Sequence, residues 1–345
     1  NELWFALPFV FNFVIVPVLD HIVGEDRNNP PEEVLMQLET DRYYRWLTWL
    51  TVPLHFIVIF GCAIYAGTAD LSWWAFGLLA VHAGMIGGIA VNTAHELGHR
   101  NTRLEKLLSR LVLGVSAYGH FTVEHNRGHH VWVSTPEDSA SARMGESIYR
   151  FGLRELPGAL RRAWAIELGR LRGRGLASWH YSNPILQSYT VSAIIAVILL
   201  LWVGLVAIPF LLIHHVVAYL FLTTANYIEH YGLLRQRQDN GRYERCQPHH
   251  SWNSNHVLSN LVLFHLERHS DHHANPLRRY QSLRHYDGLP SLPNGYLGML
   301  VAAWIPPLWF RVMDARLMAL PHVAGDLEQV NIDPRAAPSL SLRWT

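Results

Sequence analysis

Nine of the chain's 22 histidines fall into four groups whose spacing suits metal binding. The groups are His95 with His99, His125 with His129 and His130, His230 alone, and His269 with His272 and His273. Residues three or four apart on a helix are neighbours, so two imidazoles at that spacing can hold one ion from one face. The adjacent pairs, His129 with His130 and His272 with His273, diverge by about 100° around a helix and can serve two different ions. A catalytic zinc uses three protein ligands and keeps one position open. Nine imidazoles exceed that need and suit a di-metal site. Ligand type alone leaves iron, copper, zinc and nickel open.

A ligating histidine needs its outer ring nitrogen held by a partner. Glu96, Glu124, Glu229, Glu267 and Asp271 lie beside the clustered histidines in sequence, and Asn92 and Asn226 stand one turn before His95 and His230. A helical neighbour one position away points elsewhere, so these carboxylates are expected to orient histidines of other groups. His55 and His82 fall within apolar runs and are expected to pair with helix carbonyls or with each other. His95-Glu96-Leu97-Gly98-His99 also matches the HExxH of zinc proteases, in which the Glu is the general base. Such a membrane protease needs one further ligand and leaves the other clusters without a use. A metal transporter, the non-enzymatic alternative, needs ligands inside the spans, whereas these groups lie at span ends.

The elements that must position these groups are long and uncharged. No Asp, Glu, Lys or Arg occurs in residues 3–19, 46–69, 71–95 or 175–228. A bilayer core of about 30 Å needs about 20 mostly apolar helical residues. The runs therefore predict an all-α, polytopic membrane protein with spans near 3–19, 46–66, 72–94, 185–203 and 210–229. Residues 111–123 are apolar but short and are expected to be partly embedded. Thirteen Lys and Arg lie in residues 96–174, and the turns near 67–72 and 203–209 carry none. The positive-inside rule then makes residues 20–45, 95–175 and 230–345 cytoplasmic, forming a helical cap over one integral-membrane domain, 1–345. With residues 20–45 inside, the run 3–19 enters from outside, which implies a first span that is absent or truncated here.

Composition removes other classes. With 28 Lys+Arg against 27 Asp+Glu the formal net charge is +1, which gives no nucleic-acid footprint. Two cysteines cannot build an iron–sulfur cluster or a four-thiolate iron site. No Gly-rich dinucleotide fingerprint follows a strand, and nothing suggests that this chain binds haem, flavin or NAD.

The segments HELGH (95–99), EHNRGHH (124–130), NYIEHYGLLRQ (226–236) and LERHSDHH (266–273), in that order between apolar spans, resemble the membrane alkane 1-monooxygenases. GEDRNNPPEE (24–33), MGESIYR (144–150) and HHSWNSNH (249–256) extend the likeness over most of the chain, with Glu267 standing where the family pattern suggests Gln. NYIEHYG separates this family from the fatty-acyl desaturases and hydroxylases, the nearest alternative. The resemblance implies a six-span plan in the bacterial inner membrane, with the active site toward the cytoplasm. It also implies that His95, His99, His125, His129, His130, His230, His269, His272 and His273 ligate two irons, and that O2 is used to convert linear alkanes to primary alcohols. Electrons would come from rubredoxin, reduced in turn by an NADH-dependent rubredoxin reductase.

Two further expectations concern surfaces. An alkane offers nothing to hydrogen-bond, so only apolar burial, about 0.8 kcal/mol per CH2, can hold it. Met85, Gly88 and Asn92 share the face of His95, and the side-chain gap at Gly84 and Gly88 would serve either as a slot for a straight chain or for close helix–helix packing. Asn12 and Phe13 on the first helix would limit its depth. Arg161, Arg162, Arg170, Arg172 and Arg174 form a basic stretch suited either to an acidic electron carrier or to membrane lipid.

Overall fold

The computed structural model describes residues 2–344. Among them the secondary structure is helical, with only isolated bridges such as Met144 to Ile332 and Leu233 to Val330 in place of a sheet. Four helical stretches are long and apolar enough to cross a membrane: Glu2–Val23, Arg42–Thr68, Trp73–Gly98 and Pro184–His230. The last has 47 residues, about 70 Å at 1.5 Å per residue, which is more than one crossing uses. Gly204, at φ +71°, breaks it into Pro184–Val203 and Ala207–His230. A further pair, Tyr296–Trp304 and Pro306–Met318, is bent by 120°, with Pro306 opening the second helix. A proline ring supplies no N–H and suits the first turn of a helix but not its interior.

The chain divides into two compact units. The first comprises residues 1–12, 36–127 and 160–222. Its core is built from small and aliphatic side chains: Ile59 and Ala63, Ala80 and Ala83, Leu199, and Ala207 with Phe210. Leu201 is 84% and Leu205 78% exposed. Large apolar groups facing outward around a small-residue interior is the arrangement of helices in lipid, where close backbone approach drives packing. That distinguishes these helices from the buried core of a soluble enzyme.

The glycines of Trp73–Gly98 show this packing. A Cβ on Gly84 would lie 2.7 Å from the His214 carbonyl oxygen, and one on Gly88 2.6 Å from the Phe221 Cβ. Ser109 and Ser116 donate to the carbonyls of Ala94 and Gly87, both at 2.7 Å. Of the two uses open to Gly88, the space beside it is filled by Phe221, so the missing side chain serves helix contact rather than a slot. His55 bonds to Thr93, 3.1 Å away, and His82 lies edge-on to Phe9, so these two histidines do not pair with each other. Residues 111–123 are not one element. Arg103–Val115 ends at Ser116, Ala117 takes φ +51°, and the helix restarts at Phe121.

The second unit comprises residues 13–35, 128–159 and 223–345. Buried and half-buried charged groups pin its loops. Asp20 accepts from the backbone N–H of Leu258 at 2.9 Å. Arg268 donates to the carbonyls of Asp26, Asn28 and Leu283. Arg154 pairs with Glu146 at 2.8 Å and donates to the Ser139 and Ser141 carbonyls. The arginine bonds satisfy carbonyls of irregular backbone, of which those of Ser139, Ser141 and Leu283 belong to buried residues and would otherwise be left unpaired.

Candidate metal centre

In the first unit the last turn of Trp73–Gly98 carries His95 and the adjoining C-cap is His99, with ring centroids 4.9 Å apart. His125 stands 4.5 Å from His95 and 5.1 Å from His99, its ring stacked on Phe121. The three offer ring nitrogens within 4.8 Å of one another.

His125–His129 forms a π-turn. An α-helix would place these two residues on one face, one turn apart. The π-turn shifts that register, a device frequent at functional sites. His125 thus stands with His95 and His99, and His129 stands in the second unit with His230, His269 and His273. There the His269 Nε2 lies 3.1 Å from the Nε2 of His230 and 3.0 Å from that of His273. The His129 ring is 4.9 Å from His230 and 5.0 Å from His273, centroid to centroid. All four are buried. The His130 Nε2 lies 3.2 Å from the His272 Nε2.

These separations test whether a metal fits. One proton can bridge two imidazole nitrogens, but it cannot serve His269 toward both of its neighbours. A divalent ion about 2.1 Å from each nitrogen spaces adjacent ligands about 3 Å apart, which matches the contacts seen. The outer nitrogens agree. The His129 Nδ1 donates to Asp138 Oδ2 at 2.9 Å, and that carboxylate also accepts from the Ser141 hydroxyl at 2.6 Å. The His230 Nδ1 donates to the His250 carbonyl at 3.2 Å. Each bond fixes the proton on Nδ1 and turns the Nε2 lone pair into the cluster. The residues present fit a metal.

The carboxylates expected around the histidines divide. Glu229 Oε2 lies 3.3 Å from the His269 Nε2, so it meets the cluster-facing nitrogen rather than the outer one. Glu96 pairs with Arg100 at 3.2 Å and Glu124 with Arg162 at 3.5 Å. Asp271 corrects the expectation. It accepts from Arg278, Asn275, Tyr286 and the Arg284 backbone, and so anchors the helix that carries His269, His272 and His273. Glu267 accepts from the Tyr296 N–H at 2.8 Å, and burial pushes its carboxyl up to about 8. Asn92 is buried, and Asn226 donates to Glu155 at 3.2 Å.

Asp138 was not among the expected partners. It lies nine positions after His129, across a turn in which Ser134 has φ +55°, so no helical spacing points to it. A second addition is Glu244, His249 and His250, whose ligand atoms also lie within 4.8 Å of one another. The His250 Nδ1 accepts from the Gln247 N–H at 2.9 Å, which leaves the ring proton on Nε2, 3.4 Å from Glu244. Burial pushes this imidazole down to about 2, so it stays neutral. With its inward nitrogen protonated it is a poor ligand. Its carbonyl instead accepts from His230 and Ser134, making this loop a support for the His230 ring.

Membrane-crossing helices with converging imidazoles define a class of histidine-rich membrane metalloenzymes, and the family model described as Fatty acid desaturase matches residues 71–300. Among relatives, an alkane 1-monooxygenase of Ectopseudomonas oleovorans is 50% identical over 96% of this chain and 82% of its own length. Alkane 1-monooxygenase 1 of Alcanivorax borkumensis is 49% identical over the same shares, 96% and 82%. A xylene/toluene monooxygenase hydroxylase component of Pseudomonas putida is 27% identical over 76% of this chain and 70% of its own. The chain belongs to the alkane 1-monooxygenase family.

Proposed function

We propose that this protein hydroxylates the terminal carbon of linear alkanes to primary alcohols, using O2, two iron ions and electrons from rubredoxin. The observation that carries the reading is the convergence of the His230, His269 and His273 Nε2 atoms in a helical membrane protein of this family. His95, His99 and His125 would hold one ion and His129, His230, His269 and His273 the other, with His130 and His272 completing the set of nine. When bound, the two irons with O2 supply the oxidising power that breaks a strong C–H bond.

The chain's own residues supply the rest. Asp138 and the His250 carbonyl hold the outer protons of His129 and His230, so both rings keep their inward aim. Glu229, beside the His269 Nε2, adds negative charge where nine neutral imidazoles add none. The substrate is held by apolar burial alone, and Asn12, Phe13, Met85 and Asn92 remain the candidates for its path. The Asn12 amide donates to the Pro8 carbonyl at 2.8 Å, which leaves its helix face less polar toward an alkane. Arg161, Arg172 and Arg174 are exposed and form the proposed carrier-docking patch, whereas Arg162 and Arg170 are tied to Glu124 and Glu167. Residues 95–175 and 230–345 would lie at the cytoplasmic face of the bacterial inner membrane.

The test supplies the lipid-reconstituted protein with reduced rubredoxin, O2, a mid-length alkane and a fatty-acyl substrate in parallel. The expected product is the primary alcohol. An acyl double bond with no alcohol would move the protein to the desaturase reading, and no oxidised product with either substrate would reject both.

A further inference from the structure

Away from the histidines, a cavity of about 180 Å³ opens in the first unit. Its wall includes Lys106, Ser109 and Arg110 of Arg103–Val115, together with Asn126, Arg127, Gly98 and Pro184. Gly98 closes one candidate membrane span and Pro184 opens another, so the cavity sits where hydrocarbon gives way to water.

Three cations face this space with little to balance them. Arg127 lies 3.8 Å from Glu167, a carboxylate already bonded to Arg170 at 2.8 Å. Among the described residues neither Lys106 nor Arg110 has an ionic partner, and the buried Arg110 Nε has no hydrogen-bond acceptor. Burial lowers the affinity of that guanidinium for its proton, with no carboxylate to offset the cost. Ser109 donates to the Ala94 carbonyl and Asn126 to the Gly98 carbonyl, and the Asn126 Oδ1, a buried acceptor without a partner among the described residues, carries no charge that could balance the cations. Leu104 and Leu107, each 46% exposed on the same helix, give the approach an apolar flank. A basic helix with exposed leucines at a span end is the composition of a membrane-surface element.

We propose that Lys106, Arg110 and Arg127 form a binding site for the phosphate of an anionic phospholipid, whose acyl chains lie along Leu104 and Leu107. A phosphodiester supplies the acceptor oxygens and negative charge that Lys106 and Arg110 lack and that Arg127 finds only in a carboxylate shared with Arg170, and guanidinium groups bind phosphate in a planar, two-pronged manner. Juxtamembrane cations attract anionic lipid individually. A cavity that gathers three of them selects one headgroup.

The test is native mass spectrometry of the full chain released from detergent supplemented with phosphatidylglycerol or phosphatidylcholine, in parallel with Lys106→Gln, Arg110→Gln and, as control, the exposed Arg103→Gln. The wild type and R103Q should each retain one phosphatidylglycerol, and K106Q and R110Q should lose retention by roughly fivefold each. Phosphatidylcholine should be retained poorly by all four. Because Lys106 is exposed, K106Q keeps the test valid even where R110Q folds poorly. Equal retention by wild type and K106Q would overturn the proposal. So would displacement of the lipid by millimolar inorganic phosphate, which marks a free-anion site, or unchanged lipid retention with weakened binding of an acidic electron carrier.

Discussion

The imidazole of His129 is tied at its outer nitrogen to Asp138, 2.9 Å away and buried like its partner. The bond decides which nitrogen of His129 faces His230 and His273. Asp138→Asn keeps the shape but removes the charge and permits the opposite tautomer. Iron affinity, read by competition with a graded chelator, should fall roughly 10- to 100-fold, with little change in thermal stability of the metal-free protein. Unchanged affinity would reduce Asp138 to a loop anchor.

Glu155 gives a pH-dependent stability. Its carboxyl is buried, bonded to Thr223 at 2.8 Å and to Asn226 at 3.2 Å, and burial pushes it from the usual 4.5 up to about 7. Below 4.5 both folded and unfolded chains hold this proton. As pH rises from there toward 7, the unfolded chain releases a proton that the folded chain keeps, so stability falls; above that the loss is complete. Glu155→Gln should flatten this contribution, which is on the order of 3 kcal/mol. Parallel melting curves at pH 5 and pH 8 in one detergent check it, and identical pH slopes would contradict it.

Gly88 packs against Phe221, so a larger residue there should cost stability before it changes selectivity. Gly88→Val should destabilise by about 1–3 kcal/mol, as overpacking does. Activity should fall in parallel for short and long alkanes. A stable variant that loses only the longer substrates would restore Gly88 as a channel wall.

Charge reversal at the exposed Arg161, Arg172 and Arg174 should raise the KM for rubredoxin and weaken its salt dependence, with kcat at saturating carrier held. The control is Arg162→Gln, whose guanidinium is held by Glu124 and should affect stability more than carrier affinity. Unaltered KM and salt dependence in the triple variant would place docking elsewhere.

Much of the architecture was legible because charge is absent over lengths that match a bilayer, and because imidazoles recur at helical spacings. Those signals are local. They could not show that a π-turn would shift His129 out of register with His125, since that depends on how the helix is wound. Nor could they show that Asp138 reaches His129 across a turn, that Thr93 takes His55, or that Phe221 fills the gap beside Gly88. Each is a choice of partner made by tertiary packing. Asp271 misled for the same reason. It adjoins His272 in sequence, but its carboxylate is drawn to Arg278, seven positions on.

The most direct measurement is the metal content of protein purified from membranes, with iron and zinc counted per chain for the wild type and for a variant carrying both His230→Ala and His273→Ala. Two irons per wild-type chain, with iron lost in the double variant while the protein stays folded, is the expected result. A single zinc per chain, or an iron count indifferent to those two histidines, would contradict the paired-metal centre.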